Sequence, residues 1–241
     1  MTQNGVITIA TSLAPGKKLD EQRKVINSWC KMGFKCVSIN APDEIAILEK
    51  DFPDIEFVVA VRDARKEFGK PYIYFDDFLA YFAGSDSQIC GIVNSDIYLM
   101  GENFHSFISK EAVNSLLYGS RIDIKTLDNL QGKLYQWGFD YFFFDRKLIH
   151  YYPNSDFCIG LPWWDYWIIL VAILCEIPVK KVTDMLAYHV KHKNGWNKDS
   201  CLLLKDAMLM YVKPINNGVK RNYVEHILEF IRENSIYVSL N

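Results

Sequence analysis

The sequence predicts an α/β fold, a mostly parallel sheet with helices on both faces, closed by C-terminal helices. Two observations predict it. Short β-branched runs alternate with helix-patterned segments four times within the first hundred residues, and such alternation builds parallel sheets with right-handed crossovers. The chain has 241 residues, 50% hydrophobic and 15% aromatic, which suits one large domain with a full core and is too apolar for disorder.

Residues 6–10 are a β-branched run that stops at Thr11-Ser12, the first strand. After the Pro15-Gly16 turn, residues 19–32 carry Val25, Ile26 and Trp29 at helical spacing until Gly33 stops them. Residues 34–39 form the second strand, ending at Asn40, and Pro42 opens a helix over 42–50. The third strand covers 56–61. Pro71 suits the first turn of a helix over 71–83, closed by Gly84-Ser85-Asp86, and the fourth strand covers 89–93. Beyond it, 110–118 has no clear period and 121–134 is polar. An aromatic strand over 139–144 leads to a helix-like 147–151, a buried helix over 162–176 and a strand over 179–182. The tail reads as amphipathic helices over 200–212 and 222–234. No repeat or linker divides the chain, so residues 1–241 are read as one domain.

Charge names no partner. With 27 basic and 29 acidic residues the net charge is -2, and no basic cluster is dense enough for nucleic acid. Cys30, Cys36, Cys90, Cys158, Cys175 and Cys201 form neither a CxxC pair nor a zinc pattern, and read as reduced core residues of a cytoplasmic protein. Met1-Thr2-Gln3-Asn4-Gly5 has no basic lead into an apolar core, which argues against a secretory signal. The longest apolar run, from Trp167 to Cys175, falls short of the roughly 20 residues of a membrane span. No transmembrane segment is expected, while peripheral association with a membrane stays open.

Polar groups fall at the strand ends or in the loops after them: Thr11 and Ser12, Asn40, Arg62 and Asp63, and Asn94-Ser95-Asp96. Each alone reads as turn chemistry. Together they would share one edge of a parallel sheet, where open α/β sheets bind their ligands. Asp76-Asp77 looks like a metal-binding pair but lies within a predicted helix, where adjacent side chains diverge by about 100°, so exposure or a surface ion pair is the better reading. Asp140 sits in an apolar aromatic strand, where burying it unpaired would be costly, and Arg121 or Arg146 could be its partner. Read locally, Asp165 is a helix-start acid, and His189 and His192 are loop residues beside Lys191 and Lys193.

A more specific pattern runs through the second half. "VNSDIYL" at 93–99 is followed in order by "RID" at 121–123, "GFDYFFFDR" at 138–146, "FCIGLPWWDYWIILVAILCEIPV" at 157–179 and "YHVKH" at 188–192. This succession resembles a group of glycosyltransferase-like proteins of the GT-A fold, whose pattern runs NxDI, RxD, GxDYFxF, IGxPxWDxW and HxxH. The resemblance covers about residues 91–197. It implies a Rossmann-type GT-A sheet with a nucleotide-sugar-binding half over 1–100, an acceptor and catalytic half over 101–199, and a helical extension over 200–241. It implies an inverting transfer of a sugar from a nucleotide-diphosphate donor to an acceptor hydroxyl on a glycan or lipid-linked molecule, as in cell-surface polysaccharide synthesis.

The resemblance also assigns residues. Asp96 takes the place of the last acid of a DxD motif that holds a divalent ion, Mn2+ or Mg2+, against the donor diphosphate. Asn94 stands where the first acid is usual, which puts strict metal dependence in question; its amide could serve a ribose hydroxyl or phosphate. One of His189 and His192 joins the metal. Thr11, Ser12, Asn40, Arg62, Asn94, Ser95 and Asp96 fall to the donor. Asp165 matches the acid that takes the acceptor proton, and its aromatic flanks would raise its pKa. Arg121, Asp123, Asp140 and Trp164 fall to the acceptor side, with Trp137 and Trp163 as further flat faces. Two rivals stand beside this reading. One is a nucleotidyltransferase making a nucleotide sugar, against which the lack of a Gly-rich phosphate loop after the first strand counts. The other is a catalytically silent nucleotide- or sugar-binding protein, which Asn94 favours.

Overall fold

A computed structural model of the protein describes residues 5–16, 18–192, 195–215 and 226–240. The first four residues of the amino terminus and the start of the helix expected over 222–234 lie outside the described residues. Strands β1 (Thr8–Thr11), β2 (Lys35–Asn40), β3 (Glu56–Val59) and β4 (Ile89–Val93) are parallel in the order β4-β1-β2-β3, as the alternation predicts. Between them lie α1 (Leu19–Lys31), α2 (Pro42–Leu48), α3 (Arg65–Phe68) and α4 (Phe75–Ala83). Helix α4 starts at Phe75 and not at Pro71, because Ile73 and Tyr74 are engaged in bridges to Asp63 and Cys158.

The second half adds β5 (Ile97–Leu99), α5 (Phe104–Glu111), β6 (Leu116–Thr126), β7 (Asn129–Leu134), β8 (Tyr141–Asp145), α6 (Trp164–Leu174), β9 (Val179–Val190), α7 (Lys198–Val212), α8 (Ile227–Glu233) and β10 (Ile236–Val238). The sheet runs β10-β9-β6-β8-β4-β1-β2-β3, with β8 antiparallel to both neighbours, β5 paired to β9 and β7 to β6. The polar stretch 121–134 is thus most of a hairpin, and the strand expected over 179–182 runs on to Val190. No helix among the described residues is long and apolar enough to cross a membrane.

The aromatic strand β8 explains the layering. Successive side chains of a strand face opposite ways. Phe142 and Phe144 accordingly pack into one core with α4 and α6, while Tyr141 and Phe143 enter the other with α1 and α5. Gly91 on the neighbouring strand makes room, since a Cβ there would lie 2.6 Å from the Phe143 ring. Helix α6 is apolar all round because α7 and α8 close over it with Leu204, Met208, Phe230 and Ile231. The cysteines are all free, and Cys30 departs from the expected core position by being exposed.

Strand direction builds the site. Strands β1, β4, β6 and β9 all run toward one edge of the sheet, and β8 runs away from it. The ends of the first four and the residues that lead into β8 therefore meet there.

Candidate active site

The Asn94-Ser95-Asp96 segment is a turn, and it also places a carboxylate at the sheet edge. The Ile97 amide donates to the Asn94 carbonyl at 3.1 Å, which reverses the chain between β4 and β5 and projects the Asp96 carboxylate from the sheet edge. Two imidazoles meet it: Asp96 Oδ2 lies 2.9 Å from His192 Nε2 and 3.3 Å from His189 Nε2. Burial alone would raise the Asp96 carboxyl, but the two imidazoles outweigh it and hold the group well below the usual carboxylate range. His189 is not a loop residue. It lies on β9, 5% exposed, in register with Asp123 of β6 and Ile97 of β5.

The ligand atoms of Asp96, His189 and His192 lie within 4.8 Å of one another. One carboxylate and two imidazoles fit a divalent ion, and imidazole suits Mn2+ better than Mg2+, which favours oxygen ligands. The residues present therefore fit the cation that the resemblance implies.

Behind this cluster runs a chain of polar contacts. His189 Nδ1 lies 3.0 Å from Asp123 Oδ1, which also accepts from Arg121 Nε at 3.0 Å. Arg121 Nη1 donates to Asp140 Oδ1 at 2.6 Å, and Asn94 Nδ2 donates to the same oxygen at 2.8 Å. The Arg121 guanidinium sits 4.2 Å from the centre of the Tyr135 ring. Asp140 thus finds the partner that its apolar strand demanded, Arg121 and not Arg146. Asn94 has a role that an acid could not fill. Asn94→Asp would oppose two carboxylates across that 2.8 Å contact, and the expected loss is about 1–3 kcal/mol of stability, read as a lower urea midpoint. An unchanged midpoint would mean that this contact contributes nothing.

The second acid stands at the start of α6. Trp163, in the left-handed conformation at φ 79°, caps the helix, and its indole Nε1 donates to the Cys201 carbonyl at 2.8 Å. This turn puts Asp165 against the segment leading into β8, where its Oδ2 accepts from the Phe139 amide at 3.0 Å. Burial pushes the Asp165 carboxyl up to about 7; the Phe139 amide opposes this and the nearby Asp140 charge adds to it.

One cavity of about 640 Å3 joins the two acids. Ser12, Asn94, Ser95, Asp96, Arg121, Asp140, Trp164, Asp165, His189 and His192 all contribute to its wall. Trp137, 70% exposed, and Trp163 line it beside Asp165. Trp164 is 2% exposed and packs edge-on to Phe142, with ring centres 5.2 Å apart, so it is chiefly a core residue. Asp123 stands behind His189 and is not among the lining residues.

Three donor-side candidates fall outside the cavity wall. Thr11 and Asn40 are buried, because β1 and β2 are covered on both faces. Asn40 Nδ2 donates to the Leu13 carbonyl at 2.7 Å and so braces the loop that follows β1. Arg62 lies over Tyr74, 3.7 Å from its ring centre, and donates to Asp156 at 3.2 Å. Asp63 caps the Arg65 amide at 2.9 Å. Asp76 and Asp77 open α4, and in place of the expected surface ion pair Asp76 accepts from the Ser155 amide.

Residues that sequence reasoning missed also line the cavity. Lys70 Nζ and Tyr72 Oη each donate to the Gly195 carbonyl at 3.1 Å, bringing an ammonium and a phenol to the wall. Tyr135 and Trp196 add two more rings. Lys70, Tyr135 and Trp196 stand outside any periodic pattern, and Tyr72 falls in the stretch read as a helix over 71–83, where nothing singles it out.

No protein-family model matches the chain, and no curated protein matches it in sequence. Solved structures do share its fold. The mannosyltransferase PcManGT from Pyrobaculum calidifontis, in complex with GDP-Man and Mn2+, is 12% identical with a TM-score of 0.55, over 95% of this chain and 69% of that one. TarS 1-349 from S. aureus is 10% identical with a TM-score of 0.52, over 95% of this chain and 71% of that one. A longer S. aureus TarS structure is 12% identical with a TM-score of 0.54, over 95% of this chain and 43% of that one. At such identities the likeness concerns the fold, a Rossmann-like GT-A sheet.

Proposed function

We propose that the chain is a divalent-metal-dependent glycosyltransferase that moves a sugar from a nucleoside diphosphate to an acceptor hydroxyl with inversion. One observation carries this reading: the same cavity holds a carboxylate with two imidazoles at the strand edge and a separate carboxyl poised at about 7 at the head of α6. The fold it shares with a mannosyltransferase in complex with GDP-Man and Mn2+ supports the donor class.

Asp96, His189 and His192 would hold the cation, which when bound supplies charge neutralisation to the departing diphosphate. Lys70 adds a positive charge on the same wall, and Ser12, Leu13 and Ala14 line it too, on this reading at the donor. Ionised Asp165 takes the proton of the acceptor hydroxyl. The oxygen attacks the anomeric carbon on the face opposite the leaving oxygen, the carbon–phosphate oxygen bond breaks, and the nucleoside diphosphate departs. The Phe139 amide fixes the Asp165 rotamer for that step. Trp137 and Trp163 flank the acceptor, on this reading a glycan or lipid-linked molecule in polysaccharide synthesis.

The test is a thermal-shift series with GDP, UDP, GDP-mannose and UDP-glucose, each with and without Mn2+. A nucleotide that binds the folded state at 100 times its Kd stabilises it by about 2.7 kcal/mol, so at least one should raise the melting temperature only when Mn2+ is present. No metal-dependent shift with any of them would count against the proposal.

A further inference from the structure

We propose that Asp123 is the positioning residue of the cation site: held by Arg121, it accepts a hydrogen bond from Nδ1–H of His189 and so leaves the Nε2 lone pair facing the cation position beside Asp96. This rests on the metal reading of Asp96, His189 and His192 and extends it to residues that touch neither cation nor substrate.

A neutral imidazole carries one N–H, and the partner of one nitrogen decides which of the two is free to ligate. For His189 the choice is built into the sheet. Asp123 and His189 are direct partners in the β6–β9 register, and their side chains meet at 3.0 Å. His189 is 5% exposed and β5 flanks it on the other side, so ring rotation is restricted. Asp123 is fixed in turn. Arg121, two residues earlier and hence on the same face of β6, donates to the very oxygen that faces His189.

The chain of contacts closes on itself. Arg121 is anchored by Asp140, Asp140 by Asn94, and Asn94 begins the turn that presents Asp96. Carboxylate and imidazole are thus held from both ends by one network. Three protein ligand atoms lie within 4.8 Å of one another, so the protein should bind the cation alone and the donor should meet a loaded site.

The rival account makes Asp123 part of a structural ion network only, and metal titration separates the two. Mn2+ and Mg2+ are each titrated into nucleotide-free wild type, Asp123→Asn and Asp123→Glu, and the melting temperature is read without metal. The imidazole nitrogens of His189 are followed by 15N NMR with Zn2+ as a diamagnetic stand-in. Wild type should bind Mn2+ more tightly than Mg2+, with His189 protonated at Nδ1. Asp123→Asn should weaken Mn2+ about 10–100-fold and change the His189 nitrogen signals, while Asp123→Glu recovers part of the affinity.

Wild-type Mn2+ affinity and an unchanged His189 tautomer in Asp123→Asn would overturn the positioning role while leaving the metal site standing. Failure of wild type to bind any cation, with or without GDP or UDP, would sink the metal reading and this inference with it. If Asp123→Asn does not fold, the wild-type His189 nitrogen signals carry the test, and protonation at Nε2 in place of Nδ1 would overturn the role.

Discussion

Asp165→Asn is expected to lower sugar transfer by a factor on the order of 10² to 10⁴ at pH 8 while leaving donor affinity nearly unchanged. Asn keeps the size of the side chain, and its carbonyl can still accept from the Phe139 amide, but it cannot take the acceptor proton. The same carboxyl sets the pH dependence. With a pKa of about 7 the wild-type group is protonated and inactive at pH 5, and the transfer rate should rise through pH 7 to a plateau. Donor affinity is measured beside the rate, because on the proposed reading Asp165 serves the acceptor and not the diphosphate. Wild-type turnover in the variant would remove Asp165 from the chemistry.

Stability supplies an independent reading of that residue. The folded pKa is raised from 3.8 to about 7, so between these values the folded state holds more protons than the unfolded state. Stability then falls as pH rises across that window, and above pH 7 the penalty of the buried charge is fully present. Asn carries no charge, so Asp165→Asn should melt higher than wild type at pH 8, by about 2–4 °C for each kcal/mol relieved, and the gain should fade toward pH 4. A variant that melts higher and yet turns over poorly is what a catalytic group held at a stability cost predicts. A helix-start acid kept for capping would show neither effect. A catalytically silent binding protein would show the melting gain with no activity to lose.

The parallel half of the fold was legible because its signals are local. Strands β1 to β4 are β-branched runs with polar ends, and α1 carries Val25, Ile26 and Trp29 on its buried face. The elements that were missed are those whose local signal is broken. Strand β9 was expected only over 179–182, and its continuation to Val190 was missed because Thr183, Asp184 and Met185 lie at or near the surface and break the apolar pattern. Strand β7 is polar because it projects into solvent on the β6 hairpin. Strands β5 and β10 have three residues each and are strands only through their pairing with β9.

The site divides in the same way. Asp96 stood out locally as an acid at a strand end, while His189, His192 and Asp165 were singled out only through the resemblance, and the structure gathers all four around one cavity. The reason why Asn94 is not an acid was not readable, because it depends on Asp140 reaching it across 46 residues of sequence. Asp123 behind His189 depends on the pairing of β6 with β9, which no local pattern encodes. Asn40 lies off the cavity wall for a simple reason: a polar residue at the end of a central strand can equally brace the neighbouring loop from inside, as it does with Leu13, whereas Thr11 is buried on β1 and its hydroxyl makes no such contact.

The second large effect is expected at Asp96. Asp96→Ala should weaken Mn2+ binding by more than the roughly 10–100-fold that loss of an outer-shell partner costs, because it removes the one charged ligand and leaves two neutral imidazoles. Stability should change little, within about 1 kcal/mol, because the carboxylate is partly exposed and solvent screens its contacts. The direction with pH follows from its depressed pKa: what Asp96 contributes is present at neutral pH and is lost as the carboxylate protonates in acid, so wild type and variant should converge there. The histidines should rank below it and in a definite order. His189→Ala removes a buried ligand oriented by Asp123, whereas His192→Ala removes a half-exposed one, so the first should weaken Mn2+ more than the second. Calorimetric titration of Mn2+ into the three variants reads all of this at once. Undiminished Mn2+ affinity in Asp96→Ala would mean that the cation binds elsewhere, and a larger loss in His192→Ala than in His189→Ala would mean that strand register does not set the strength of the site.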